Sequence, residues 1–115
     1  MSVEVELHKG PKGLGIVIGG GVGLQYYTGD DGIYVTKIVD GGAAAIDGRI
    51  SVGDRLVAIK NIADSGEDFY LDNCTQDDAI HALKRCKNKV ILLIARAADS
   101  SFEEEVEVWR NNFSI

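Results

Sequence analysis

The sequence predicts a compact α+β domain of five or six short β-strands and two helices. Short segments of β-branched and other apolar residues recur between glycine-rich turns, which is typical of strands. One later segment has a helical pattern behind a capping residue, and no internal repeat divides the chain. The chain has 115 residues, 45% of them hydrophobic and 26% charged, which suits one soluble domain whose core needs no disulfides.

The first two predicted strands flank a glycine turn. Residues 3–8 alternate apolar and polar side chains, as expected of a half-buried strand. Residues 16–18 are consecutive β-branched residues, which favour a strand over a helix. The turn between them is not a nucleotide loop, because the third glycine of a dinucleotide fingerprint would fall on Ile18 and no Gly-Lys-Ser/Thr sequence follows. Converging N–H groups in such a turn suit a carboxylate better.

The middle of the chain predicts two more strands, a short helix and two loops. Residues 33–39 are rich in β-branched residues, residues 43–46 follow two glycines as a short helix, and residues 55–59 alternate as a strand. Residues 19–31 and 61–73 are glycine-rich or acidic and are predicted to be loops. We interpret the second loop as a plain solvated insertion.

The second helix has the strongest local signals. Thr75 is predicted as its N-cap, with Asp78 in the capping-box position, and the helix is expected to end at about Lys87. A buried strand is predicted next, at residues 90–94. The helix carries two apolar stripes, and one of them either joins the core or lines a groove with a polar end. The stripes are Gln76, Ile80 and Leu83 on one side, and Ala79, Ala82 and Cys86 on the other.

Charge and cysteine content exclude several classes of protein. The net charge is −6, of which residues 97–115 carry −4 (five acidic side chains against one arginine) and residues 1–96 carry −2, so nucleic acid is not the expected partner. No apolar run approaches the roughly 20 residues of a membrane span, and the N-terminus lacks the apolar region of a signal peptide. Cys74 and Cys86 are expected to be reduced thiols of a cytosolic protein.

No catalytic or metal-binding constellation stands out in the sequence. The serines lack the Gly-x-Ser-x-Gly setting of a nucleophile elbow, and there is no His-Glu-x-x-His or Cys-x-x-Cys pattern. His8 and His81 fall on the polar sides of their elements. We therefore predict no enzyme activity, no catalytic residue, no metal and no cofactor.

Several segments together resemble the PDZ family. His8–Ile16, HKGPKGLGI, is similar to the end of the first strand and the carboxylate-binding loop of that family, with its Gly-Φ-Gly-Φ signature as GLGI. Residues 29–61 resemble the segment from the third strand to the fourth, and residues 75–84 resemble the second helix. The resemblance covers residues 3–96, and residues 20–38 are especially like the second PDZ domain of discs-large scaffold proteins. It implies a compact, partly open antiparallel β-barrel or sandwich.

The resemblance also implies a binding site for the C-terminal end of a peptide. The loop would hold the peptide carboxylate on its N–H groups, a lysine would reach it through water, and the peptide would add as an antiparallel strand. The implied carboxylate-binding residues are Lys9, Gly13, Leu14, Gly15 and Ile16. The implied groove residues are Ile16, Val17 and Ile18 on the strand and Gln76, Ile80 and Leu83 on the helix.

Gln76 departs from the family pattern. Many PDZ domains that select Ser or Thr at the third-last ligand position have His there. An amide can hydrogen-bond a hydroxyl, but its neutral side chain can also lie against an apolar residue. The preference at that ligand position is therefore left open between these two classes.

Residues 97–115 are predicted to be an acidic tail outside the domain. Its end, Phe113–Ile115, itself has the form of a PDZ ligand, with an apolar terminal residue, so Phe113, Ser114 and Ile115 form a candidate self-ligand; the alternative is an unstructured tail. We expect this end to insert into a neighbouring molecule, head to tail. Val106 and Val108 alternate with glutamates and suggest an extra strand.

The function implied by the resemblance is a non-catalytic interaction module. It would bind C-terminal peptides with an apolar last residue from membrane or signalling proteins, such as receptors, channels, adhesion proteins and polarity proteins. It would act in the cytoplasm, at the inner face of the plasma membrane or at cell junctions, within a larger scaffold. Two alternatives are an enzyme that uses the acidic loop and an oligomerisation module whose tail occupies the groove of a neighbour.

Overall fold

The structure of the protein is a computed structural model that describes residues 2–11, 13–27, 29–96 and 113–115, without the side chains of Phe113 and Ser114. It has the predicted α+β class. Its elements are β1 (Ser2–His8), β2 (Ile16–Gly20), β3 (Ile33–Ile38), α1 (Ala43–Asp47), β4 (Arg55–Lys60), a 3-10 turn (Ile62–Asp64), β5 (Phe69–Tyr70), α2 (Gln76–Arg85), β6 (Lys89–Ala95) and β7 (Phe113–Ser114).

The described strands form one antiparallel sheet. Its order is β1-β6-β4-β3-β2-β7, and β5 pairs with β4 beside this path. Without the two-residue β7, strand β2 would stand at the edge of the sheet. An edge of this kind accepts an added strand.

The core forms where the inward faces of the strands meet the two helices. In β6 the continuous apolar sequence resolves into alternation: Val90, Leu92 and Ile94 are fully buried, and the residues between them are partly exposed. The buried stripes of α2 pack onto the same cluster, and both of its stripes are buried. The helix thus serves the core and, at its margin, the space next to β2.

Helix α2 begins as predicted and ends slightly earlier than expected. The Thr75 hydroxyl accepts from the Asp78 N–H at 3.0 Å, and the Asp78 carboxylate accepts from the Thr75 N–H, which completes a capping box. The last helical residue is Arg85 rather than Lys87, because Cys86 adopts an extended backbone that leads the chain into β6.

The interpretation of residues 61–73 as a plain solvated insertion was wrong. Within this segment the chain forms a 3-10 turn, and β5 then pairs with β4 through Ile59↔Phe69 and Ala58↔Tyr70. Ile62 and Leu71 are buried in the core. The acidic residues between them dominated the sequence pattern, while these apolar positions fix the segment to the sheet.

Cys74 and Cys86 are free and buried in the described structure. Burial raises the pKa of the Cys74 thiol above its ordinary value. Among the described residues, the helices are too short to cross a membrane and no three metal-binding side chains cluster.

Candidate functional site

The glycine loop between β1 and β2 has its N–H groups turned outward by bonds on its rear side. The Leu14 carbonyl accepts from the Ala44 N–H at 3.0 Å, and the Gly15 carbonyl accepts from the Val39 N–H at 2.9 Å. In a trans peptide unit the C=O and N–H point in opposite directions. The N–H groups of Gly15 and Ile16 therefore face away from α1, towards the open edge of β2.

Glycine is required at two positions of this loop. Gly13 and Gly15 have φ values of +69° and +74°, in the left-handed region. A Cβ on Gly15 would also lie 2.9 Å from the Gly42 Cα, which a real side chain does not tolerate. The loop thus packs its backbone directly against the start of α1.

The terminal residue of the same chain lies on the outward N–H groups. The Ile115 carbonyl oxygen accepts from Gly15 at 3.0 Å and from Ile16 at 3.2 Å, and the Ile115 N–H donates to the Ile16 carbonyl at 2.6 Å. The N–H of Leu14, the third donor expected from the sequence, does not donate to this oxygen in the described structure.

The residues before Ile115 continue this pairing along β2. Strand β7 pairs antiparallel with β2, with Val17 opposite Ser114 and Ile18 opposite Phe113. The sequence led us to expect insertion of this end into a neighbouring molecule, whereas the structure has it on the β2 edge of its own chain. Insertion of this end into the groove of a neighbouring molecule stays a prediction. The strand suggested at Val106 and Val108 lies outside the described residues.

An apolar pocket lies beside the Ile115 side chain. Its volume is about 170 Å³, so space remains next to the isoleucine. Ile115 also packs against the hydrophobic core cluster. Ile16 and Ile18, which were expected at the groove, are fully buried and do not line this pocket. The lining residues are Lys9, Gly13, Leu14, Ile80, Leu83, Lys84 and Ile115.

Lys9 has a different partner from the one that the resemblance implied. Its ammonium donates to the carbonyls of Leu83 at 3.0 Å and Cys86 at 2.6 Å, at the C-terminal end of α2. Carbonyls there lack partners within the helix, and the helix dipole makes this end negative. The lysine therefore caps α2 and joins it to the glycine loop.

Gln76 lies at the polar end of the Ile80 and Leu83 stripe, as the sequence suggested. It is only 7% exposed, and its Nε2 donates to the Gly20 carbonyl at 3.2 Å. One of the two N–H donors of this amide is thus engaged with β2. On the middle of the same strand, the half-buried Val17 has its carbonyl bonded to the Thr36 hydroxyl at 3.2 Å.

The sequence reasoning missed the role of the glycines that end β2. Gly20 and Gly21 have φ values of +100° and +102°, and a Cβ on Gly21 would lie 2.6 Å from the Gln76 backbone nitrogen. The available signal was the run of three glycines at 19–21. It showed that side chains are absent there, but the approach of α2 to this run depends on the tertiary fold.

Three tyrosines form a cluster beside this end of β2. The rings of Tyr26 and Tyr34 stack at 5.7 Å, and Tyr27 meets Tyr34 edge-on at 4.8 Å. Burial, and then the hydrogen bond that the Tyr34 hydroxyl donates to Asp30, raise the pKa of Tyr34 above its ordinary value.

Comparisons with known proteins agree on one family. The model of the PDZ domain family matches residues 4–95. The chain is 48% identical over 94 residues to the Disks large 1 tumor suppressor protein of Drosophila melanogaster and to Disks large homolog 2 of Homo sapiens, which is 82% of this chain but only 9% and 10% of those proteins. A crystal structure of Dlg1 PDZ2 from the choanoflagellate Monosiga brevicollis superposes with a TM-score of 0.72 at 31% identity, covering 90% of this chain and 98% of that one.

Proposed function

The chain belongs to the PDZ domain family, and on this premise we propose that it binds the C-terminal ends of other polypeptides by strand addition to β2 and catalyses no reaction. The observation that carries the proposal is the pair of outward N–H groups of Gly15 and Ile16, which meet a terminal oxygen at 3.0 and 3.2 Å beside an apolar pocket. In a polypeptide, a free main-chain carboxylate occurs only at the C-terminal end, next to the side chain of the last residue.

The ligand would be recognised by three kinds of contact. Main-chain hydrogen bonds to β2 contribute affinity that does not depend on the side chains of the ligand. The loop N–H groups bond the carboxylate, and a hydrogen bond to a charged group contributes about 1.5–3 kcal/mol. Burial of a terminal Val, Ile or Leu in the pocket contributes roughly 1.5–3 kcal/mol more. Binding of this size is moderate and reversible.

We propose that the natural ligands are the cytoplasmic C-termini of membrane or signalling proteins. The similar Disks large proteins are about ten times longer than the matched region, so the module would work within a larger scaffold. Such a scaffold would cluster receptors, channels, adhesion proteins or polarity proteins at the inner face of the plasma membrane or at cell junctions.

A second candidate function is self-association through the tail. The pairing of Phe113–Ile115 with β2 favours it, because the same contacts made between molecules would be head to tail and would build rings or open chains. Light scattering over a range of concentrations tests it: mass that rises with concentration, and that falls to the monomer in Ile115→Asp, supports exchange between molecules. A monomer throughout would contradict it.

The decisive test of ligand binding compares two peptides that differ at the terminus alone. A peptide with the sequence of residues 110–115 is made as the free acid and as the C-terminal amide. Both are titrated by calorimetry into the full chain carrying Ile115→Asp, whose own end competes poorly because a charged side chain does not suit the apolar pocket. We expect the amide to lose most of the affinity. Equal binding of the two forms would contradict carboxylate recognition.

A further inference from the structure

The pairing between β2 and β7 defines where the next hydrogen bonds of a longer ligand would fall. Ile16 and Ile115 exchange both of their backbone bonds. Hydrogen-bonded and non-bonded pairs alternate in an antiparallel ladder, so Ile18 and Phe113 form the second bonded pair. In the same register, the third bonded pair would join Gly20 to the fifth-last residue of the ligand.

The acceptor needed for that third pair is already in use. Gly20 is bonded through its carbonyl to the Gln76 Nε2 at 3.2 Å, and the glutamine is buried between β2 and α2. Opposite β3, the register makes the groups of Gly19 face Tyr34, so the Gly20 groups face the open edge. The glutamine amide therefore stands where the N–H of an added strand would have to arrive.

Two further contacts fasten this end of β2 to the start of α2. Gly21 comes so close to the Gln76 nitrogen that a Cβ would lie 2.6 Å from it. The Val22 N–H donates to the Cys74 carbonyl at 3.0 Å, directly before the helix cap. Gly20 and Gly21 adopt positive φ values, which glycine tolerates, so the backbone can come this close to α2. These contacts hold the start of α2 against the end of β2 and so position the Gln76 side chain at the Gly20 carbonyl.

From this geometry we propose that the bond from Gln76 to Gly20 ends strand addition after the third-last ligand residue. The ligand ladder uses Ile16 and Ile18, and the backbone of the fourth- and fifth-last residues leaves the sheet. Gln76 is then a specificity-determining residue that sets the length of ligand recognised through its main chain. This inference rests on the proposed binding of C-terminal peptides.

The test is a scan of backbone N-methylation, which removes one N–H donor at a time. Three free-acid peptides with the sequence of residues 110–115 are used: unmodified, N-methylated at the third-last residue, and N-methylated at the fifth-last residue. Their affinities are measured in the full chain carrying Ile115→Asp, and in the same chain with Gln76→Met added. Methionine is similar in length to glutamine but has no donor, so it frees the Gly20 carbonyl. Gln25→Met, which makes the same change in the loop after β2, is the matched control.

With Gln76 present, we expect methylation at the fifth-last residue to change affinity less than about 2-fold, and methylation at the third-last residue to weaken it about 10-fold or more. In Gln76→Met, methylation at the fifth-last residue should weaken binding about 2- to 10-fold, the effect of one hydrogen bond. The Gln25→Met control should behave as the chain with Gln76 does.

Two other results would overturn different statements. If methylation at the fifth-last residue weakens binding with Gln76 present, the proposed end of strand addition after the third-last residue is contradicted. It is also contradicted if methylation at the fifth-last residue has no effect on affinity in Gln76→Met. If Gln76→Met does not fold, the chain with Gln76 still decides the proposal by the first of these criteria. Insensitivity at the third-last residue would instead contradict strand addition itself, and with it the proposed function.

Discussion

Glycines with positive φ occur at both ends of the groove, but the polar groups beside them are open to a ligand at one end and already bonded at the other. At the loop end, Gly15 allows the backbone to pack on α1, and the N–H groups left over face outward. At the other end, Gly21 allows the backbone to pack on α2, and the outward carbonyl of Gly20 accepts a hydrogen bond from Gln76. A positive-φ glycine therefore does not by itself mark a ligand site. What matters is whether the fold leaves the neighbouring polar groups without a partner.

The largest effect on binding is expected from a substitution in the glycine loop, at the open end of the groove. Gly15→Ala places a Cβ 2.9 Å from the Gly42 Cα at a φ of +74°. The loop therefore has to move, and the N–H groups of residues 15 and 16 lose the orientation in which they bind a carboxylate. Peptide affinity should fall at least about 100-fold, the loss of two charge-assisted bonds, and unfolding free energy should fall by about 1–3 kcal/mol. Calorimetry and chemical denaturation measure the two quantities.

Gly23→Ala is the matched control for this loop variant. Gly23 has a φ of +85°, and a Cβ added there would meet nothing within 4 Å, so the variant tests backbone strain without a contact. We expect a loss of about 1–2 kcal/mol in stability and unchanged peptide affinity. Equal loss of affinity in the two variants would show that the loop contact with α1 is not what orients the donors.

A smaller effect on binding, with a clear effect on stability, is expected from Lys9→Met. The ammonium bonds two carbonyls at the end of α2, at 3.0 and 2.6 Å. Its removal should lower the unfolding free energy by about 1–3 kcal/mol and change peptide affinity less than about 3-fold. A large drop in affinity for the free acid, without one for the amide, would instead assign the lysine to the carboxylate.

Gln76→His should alter selectivity at the closed end. An imidazole can donate to a hydroxyl, so peptides with Ser or Thr at the third-last position should gain over those with Phe or Tyr, by about 2- to 10-fold. The ratio of the two dissociation constants is measured by competition in the Ile115→Asp background. An unchanged ratio would mean that this helix position does not contact the third-last side chain.

The smallest effect is expected on the unfolding free energy at alkaline pH, and it comes from Tyr34, beside the closed end of the groove. The pKa of Tyr34 is raised in the folded protein, so from its ordinary value of 10.0 upward the unfolded chain releases the proton first. The unfolded state then binds fewer protons than the folded state, and unfolding free energy falls as pH rises above about 10. Tyr34→Phe should make this fall less steep in denaturation experiments between pH 8 and 11. Identical slopes would contradict the assignment to Tyr34.

Local patterns predicted most of the elements and the position of the glycine loop. The capping residues of α2, the alternation in β1 and the glycines of the loop act within a few residues, so they are visible in the sequence. The partner of Lys9 lies 77 residues away at Cys86, and that of Gln76 lies 56 residues away at Gly20. Such contacts depend on how α2 packs beside β2, which no local pattern contains.

The location of the tail illustrates a second limit. Sequence composition identified Phe113–Ile115 as a ligand-like segment, but whether it meets its own groove or a neighbour's depends on the path of the intervening chain. Similarly, β5 was missed because Phe69 and Tyr70 acquire their strand geometry only from β4. Two apolar residues among acidic ones carry little periodic signal.

The rear bonds of Leu14 and Gly15 to Ala44 and Val39 have a kinetic consequence. They hold the loop in place through α1 and the end of β3, so its conformational entropy is lost when the domain folds and not when a ligand arrives. In the Ile115→Asp chain, whose own end competes poorly, a peptide meets a loop that is already ordered, and association should proceed at the usual rate of about 10⁵–10⁷ M⁻¹s⁻¹. A ligand of roughly micromolar affinity would then stay bound for about 0.1–10 s, short enough for one groove to sample many C-termini in turn.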